Sequence, residues 1–166
     1  MNDKLSHVDD SGAARMVDVS GKPETHRRAR ATGSIRMRAA TLKAIVNAEV
    51  KKGDVLGVAR VAGVMAAKRT AELIPLCHPL SLDDIQVSLV PDDSLPGIRA
   101  EASVATTGRT GAEMEALTSV TVALLTVYDM AKGLDRGMEI SDISLASKSG
   151  GVGGEYARVD GTSSAT

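Results

Sequence analysis

Aromatic side chains are almost missing: the chain of 166 residues has no Phe, no Trp and only Tyr128 and Tyr156. Single-stranded nucleic-acid binders stack bases on such rings, so that platform is absent. A formal net charge of -1 adds no basic footprint for a phosphodiester backbone, and no nucleic-acid partner is expected. There is one cysteine, Cys77, which excludes an intramolecular disulfide. The N-terminus, MNDKLSHVDD, has no apolar stretch of the kind a signal peptide needs. Ala116 to Tyr128 is the longest uncharged run, short of the roughly 20 apolar residues of a membrane span. A cytoplasmic protein with no membrane span is expected. The sequence also lacks GxxxxGK[ST], so a nucleotide is not held in the Walker manner.

What is present fits a single globular domain, with 43% hydrophobic and 25% charged residues. The core must come from Ala, Val, Leu, Ile and Met, whose modest volumes favour close packing. So thin a core is readily completed by a second subunit, and an oligomer is expected.

Residues 1–31 read as a polar, partly flexible arm in which His26, Arg27, Arg28 and Arg30 cluster. Residues 32–149 read as one α+β domain. Alternation of Ile35 and Met37 with Ser34, Arg36 and Arg38 predicts a strand over Thr32 to Arg38. Thr41 then caps a helix bearing Leu42, Ile45, Val46 and Val50, closed by Lys51, Lys52 and Gly53. A second helix is predicted from Asp54 to Leu73. Strands at Asp84 to Val90 and Gly97 to Thr106 form a hairpin across PDDSLPG. A long helix from Ala112 to Lys132 and a strand from Glu139 to Ala146 follow, and residues 150–166 read as a flexible glycine-rich tail. The order strand, helix, helix, strand, strand, helix, strand predicts a ferredoxin-like split βαβ subunit with one extra helix, its antiparallel sheet covered by helices on one face.

Reactive groups concentrate in KRTAELIPLCHPLSL, Lys68 to Leu82, where Pro75 and Pro79 stiffen the chain around Cys77 and His78. A lone cysteine is most often a small buried hydrophobe, and adjacent Cys and His in an extended turn point apart, which disfavours a nucleophilic pair. Four zinc ligands are not at hand either. On the long helix, Asp129 and Lys132 share a face, by default as a surface ion pair. Glu115 lies fourteen residues before Asp129 and roughly 21 Å away along the axis, so the two cannot serve one small ligand within a subunit. Antiparallel helices meeting across a subunit interface would bring them together. Lys52, Lys68, Lys132 and Lys148 collect at element ends and, with Arg109, suit a phosphate pocket.

These segments together resemble the cyclic pyranopterin monophosphate synthase family, the molybdenum cofactor biosynthesis protein C family. The resemblance runs from about Met16 to Gly154 through MVDVS, KGDV, AAKRT, LIPLCHPL, TGRTG, EMEALT, YDMAKG and KSGG. It implies a ferredoxin-like subunit in a hexamer built as a trimer of dimers, with sites at the dimer interface. It also implies a cyclised dihydroguanosine triphosphate as substrate, whose purine is rebuilt into a pyranopterin while a cyclic phosphate closes and pyrophosphate leaves. By motif, Asp129 would be the catalytic acid or base with Lys132 and Lys52 as proton-transfer partners. Leu76, Cys77, His78, Met114 and Glu115 would contact the substrate, and Lys68 and Lys148 its phosphates. No cofactor is required by the sequence and no metal ligand is expected, although Mg²⁺ would suit the same phosphates. The alternative is a non-catalytic sensor of a phosphorylated small molecule on the same fold, which would need the lysines but not the Asp129 and Lys132 pair.

Overall fold

The computed structural model describes residues 14–159; the remainder of the expected arm (1–13) and tail (160–166) lies outside the described residues. Its elements are β1 (Thr25–Arg36), α1 (Ala39–Val46), α2 (Val55–Lys68), α3 (Thr70–Leu73), β2 (Asp84–Asp92), β3 (Gly97–Gly108), α4 (Glu113–Ala131), β4 (Glu139–Ser149) and β5 (Tyr156–Ala157). The strands form one sheet in the order β2-β3-β1-β4-β5, every neighbouring pair antiparallel. The first four strands thus have the split βαβ order, as the pattern predicts.

Alternation along β1 and β3 divides the sheet into two faces. Ala29, Ala31 and Ile35 of β1 and Ile98, Ala100, Ala102 and Val104 of β3 are buried beneath the helices. On the other face Arg28 pairs with Asp84 at 3.2 Å and Arg30 with Glu101 at 2.7 Å. Helix α4 lies on β1, β3 and β4 and packs along its length against α2. A Cβ at Gly63 would sit 3.1 Å from the Ser119 carbonyl oxygen, so glycine sets how closely these two helices approach. With its 19 residues, α4 is long and apolar enough to match a bilayer by composition, unlike the shorter uncharged run within it. Its apolar side chains are committed elsewhere: Ala116, Val120, Ala123, Leu124 and Val127 are fully buried.

Beyond shifts of one to three residues at other ends, four boundaries differ from the sequence reading. Strand β1 starts at Thr25, not Thr32, so the last seven residues assigned to the arm belong to a central strand. Helix α1 ends at Val46 with Asn47 as its C-cap, and its N-terminus is capped from afar: the Asp135 carboxylate accepts from the Arg38 amide at 2.8 Å and from Thr41 Oγ1 at 3.4 Å. Thr41 is therefore a partner of the cap rather than the cap itself. The expected second helix breaks at Arg69 into α2 and the one-turn α3. Beyond Gly150 the tail turns back, and Tyr156 and Ala157 pair with Lys148 and Ser147 as an edge strand.

Candidate active site

One end of α4 opens into a cavity of about 330 Å³. Its first wall is the proline-stiffened loop after α3, where the Cys77 amide donates to the Ile74 carbonyl at 3.1 Å and the chain then presents Leu76, Cys77, His78 and Leu80. Its second is the start of α4, with Thr110, Gly111, Glu113, Met114 and Glu115. The segment before β1 supplies the third, through Val17, Val19 and Lys22. His78 Nε2 lies 2.8 Å from the Val17 carbonyl, which can only accept, so that nitrogen carries the proton.

Glu115 is 4% exposed. Burial penalises its charge and the neighbouring Glu113 adds repulsion, which together push the carboxyl up to about 7. Cys77 is held protonated as well, first by burial and then by the Glu115 charge. The cavity therefore sets a carboxyl and a thiol whose surroundings favour their protonated forms beside the His78 N–H.

The opposite end of α4 carries a different constellation. Lys52 Nζ is 2.8 Å from Asp129 Oδ2 and also donates to the Asp129 carbonyl at 2.9 Å, while Lys132 Nζ is 2.7 Å from Oδ1. Hydrogen bonds from Lys132 and then Lys52 hold the Asp129 carboxyl at about 2. The group faces a second cavity of about 550 Å³ together with Val50, Met130 and Arg136. Ammonium groups can give a proton to a ligand, and the carboxylate between them can receive one.

Apart from Lys68, the sequence-derived site residues fall into two groups within one chain. Leu76, Cys77, His78, Met114 and Glu115 line the first cavity, and Lys148 reaches its rim, with Nζ 3.1 Å from Glu113 Oε1. Asp129, Lys132 and Lys52 form the second group, the roughly 21 Å of helix between Glu115 and Asp129 keeping the groups apart within one chain. Lys68, the exposed last residue of α2, lines neither cavity. Arg109 stays exposed, 3.7 Å from Glu24. Sequence reasoning passed over Val17, Val19, Lys22 and Glu113. The first two stand in the sequence only within MVDVS, an alternation in a polar stretch, and an acid such as Glu113 in the first turn of a helix is favoured by the helix dipole whatever else it does. Among the described residues, no three His, Cys, Asp or Glu side chains gather to hold a metal ion.

An α+β subunit that divides a cavity favouring protonated groups and a lysine-flanked carboxylate between the ends of one helix has the layout of an enzyme performing acid–base chemistry on a small molecule. Comparison with known proteins makes the assignment particular. The MoaC family model matches residues 16–151, and the chain belongs to that family. Similar relatives include the cyclic pyranopterin monophosphate synthase of Methylobacterium sp. (strain 4-46), 61% identical over 153 residues that cover 92% of this chain and 96% of that protein. The protein of the same name from Brucella ovis (strain ATCC 25840 / 63/290 / NCTC 10512) is 54% identical over 160 residues, 96% of this chain and 97% of the relative.

Proposed function

We propose that this chain is a cyclic pyranopterin monophosphate synthase of molybdenum cofactor biosynthesis, a lyase converting (8S)-3′,8-cyclo-7,8-dihydroguanosine 5′-triphosphate to cyclic pyranopterin monophosphate and pyrophosphate. The observation that carries this reading is Asp129 clamped between Lys52 and Lys132, at 2.8 and 2.7 Å. Opening and rebuilding a purine requires protons to be delivered to and removed from several heteroatoms, and a carboxylate that can accept them beside two ammonium groups that can supply them covers both. In this reading Asp129 is the acid or base and the two lysines relay its protons. Leu76, Cys77, His78, Met114 and Glu115 contact the substrate, whose base is held by polar edges such as His78, Glu115 and backbone groups in place of the aromatic stacking the composition withholds.

Ring closure at phosphorus then forms one P–O bond from a substrate hydroxyl to the α-phosphate and breaks the bond to the β-phosphate, so pyrophosphate departs. Lys68 and Lys148 stabilise the charge that develops on it. No cofactor is required, and Mg²⁺ carried by the phosphates would act alongside the lysines. The reading includes a cytoplasmic homohexamer, a trimer of dimers whose interface joins the start of one α4 to the end of another. It leaves no place for a sensor that merely binds, since the relatives' names describe a synthase.

Turnover of wild type and Asp129→Asn with the cyclised triphosphate, scoring pyranopterin and pyrophosphate on protein of verified assembly state, tests the proposal. Product from wild type and a loss of at least about a hundredfold in the variant are expected. Tight binding without turnover by wild type would sink the enzyme and restore the sensor.

A further inference from the structure

Lys148 is assigned above to an anion, yet it is already paired with a carboxylate. From β4 its Nζ reaches to Glu113 Oε1 at 3.1 Å, both side chains only about one-third exposed or less (35% and 28%). Glu113 itself lines the first cavity, in the first turn of α4. The local backbone makes room for this arrangement: a Cβ at Gly111 would overlap the Glu113 carboxylate, so glycine there lets the acid fold back over the loop. The carboxylate consequently lies between the rim lysine and the cavity wall.

We infer that Glu113 is an internal competitor for the anion at Lys148, occupying that ammonium group when the site is empty and returning to it as pyrophosphate leaves. This extends the functional reading, on which it rests, by assigning a binding and release role to a residue outside the proposed chemistry. An incoming polyphosphate must exchange one charge-assisted partner of Lys148 for another, which weakens net binding without adding a barrier of bare charge. The same exchange run backwards re-pairs Lys148 as the product departs. A site without Glu113 would grip pyrophosphate more tightly and release it more slowly.

Calorimetric titration of inorganic pyrophosphate into the full-length protein tests this, in wild type, Glu113→Gln, Gly111→Ala, Lys148→Ala and the Glu113→Gln/Lys148→Ala double variant. Glu113→Gln should lower Kd about three- to fivefold, the scale of one partly exposed ion pair. Gly111→Ala, which dislodges the same carboxylate while leaving its charge, should shift Kd in the same direction. The gain should vanish in the Lys148→Ala background. Equal tightening there would mean a general loss of negative charge and would overturn the inference. So would unchanged Kd in both single variants at positions 113 and 111, or no pyrophosphate binding by any variant. Turnover measured in parallel separates the two readings. Turnover by wild type with no Lys148-dependent tightening removes only this inference, whereas tightening in a protein that makes no pyranopterin removes only the enzyme.

Discussion

Glu115 keeps its proton to about pH 7 because burial penalises the charged form, whereas hydrogen bonds from Lys132 and Lys52 strip Asp129 of its own by about pH 2. The buried acid carries a consequence for stability. An unfolded Glu115 ionises in the ordinary carboxylate range, so between that range and pH 7 the folded protein binds more protons than the unfolded one. Stability must fall as pH rises through that window. Glu115→Gln, which cannot ionise, should therefore raise the unfolding temperature at pH 8 and do little at pH 5. The upper bound on the gain is roughly 3 kcal/mol from the size of the shift. Thermal unfolding at the two pH values checks it, and equal effects at both would refute the assigned cause. Asp129 behaves oppositely: its ion pairs contribute at neutral pH and are lost only as pH falls toward 2. At this scale the sequence was informative about identity, and about partners only where they are local or carried by the family motifs. Lys132 lies one turn from Asp129 and was legible as its neighbour. Lys52 is 77 positions away, and only the fold brings it to 2.8 Å.

At the scale of elements, Asp135 shows how much an irregular connection can contribute. The residue is 6% exposed, and it accepts from the Arg38 amide, from Thr41 Oγ1 and from the Gly137 amide at 3.1 Å, joining the α4–β4 connection to the start of α1. Asp135→Ala leaves those donors without an acceptor and should cost about 1 to 2 kcal/mol of unfolding free energy. Urea denaturation is the measurement, and a change below a few tenths of a kcal/mol would mean water substitutes for the carboxylate. Periodicity revealed the hairpin of β2 and β3, the long α4 and β4, because each carries Val, Ile or Leu at the spacing its geometry demands. It missed the first half of β1 for a physical reason. Its inward residues there, Ala29 and Ala31, are too small to mark a buried face, and the arginines between them looked like a solvated cluster. Their partners Asp84 and Glu101 lie 56 and 71 residues further on, which a local window does not see. The break at Arg69 has no glycine or proline to announce it.

For the whole molecule, the two halves of the proposed site lie at opposite ends of α4, and the proposed dimer would set the start of one copy beside the end of another. Two impaired proteins, His78→Ala and Asp129→Asn, should then repair each other. Refolded as an equal mixture, about one quarter of the interface sites would receive both native halves, if pairing in the twofold dimer is random. Activity well above that of either parent supports a shared site, and none above the parents would place each site within one chain. The two groups were legible in the sequence as a contradiction, a pair of acids too far apart on one helix, and the structure preserves that contradiction rather than resolving it.

The close packing of α4 has a last consequence, for what lineages of this chain can vary. One residue inserted between Glu115 and Asp129 would lengthen the helix by about 1.5 Å and turn its far end by about 100°, swinging Asp129 away from Lys52 while unseating the residues below Gly63. Point changes along α4 can be absorbed one by one; changes of its length cannot. The helix acts as a gauge, and related chains that keep both ends in use should show insertions in the β2–β3 turn and at the termini, and none inside it.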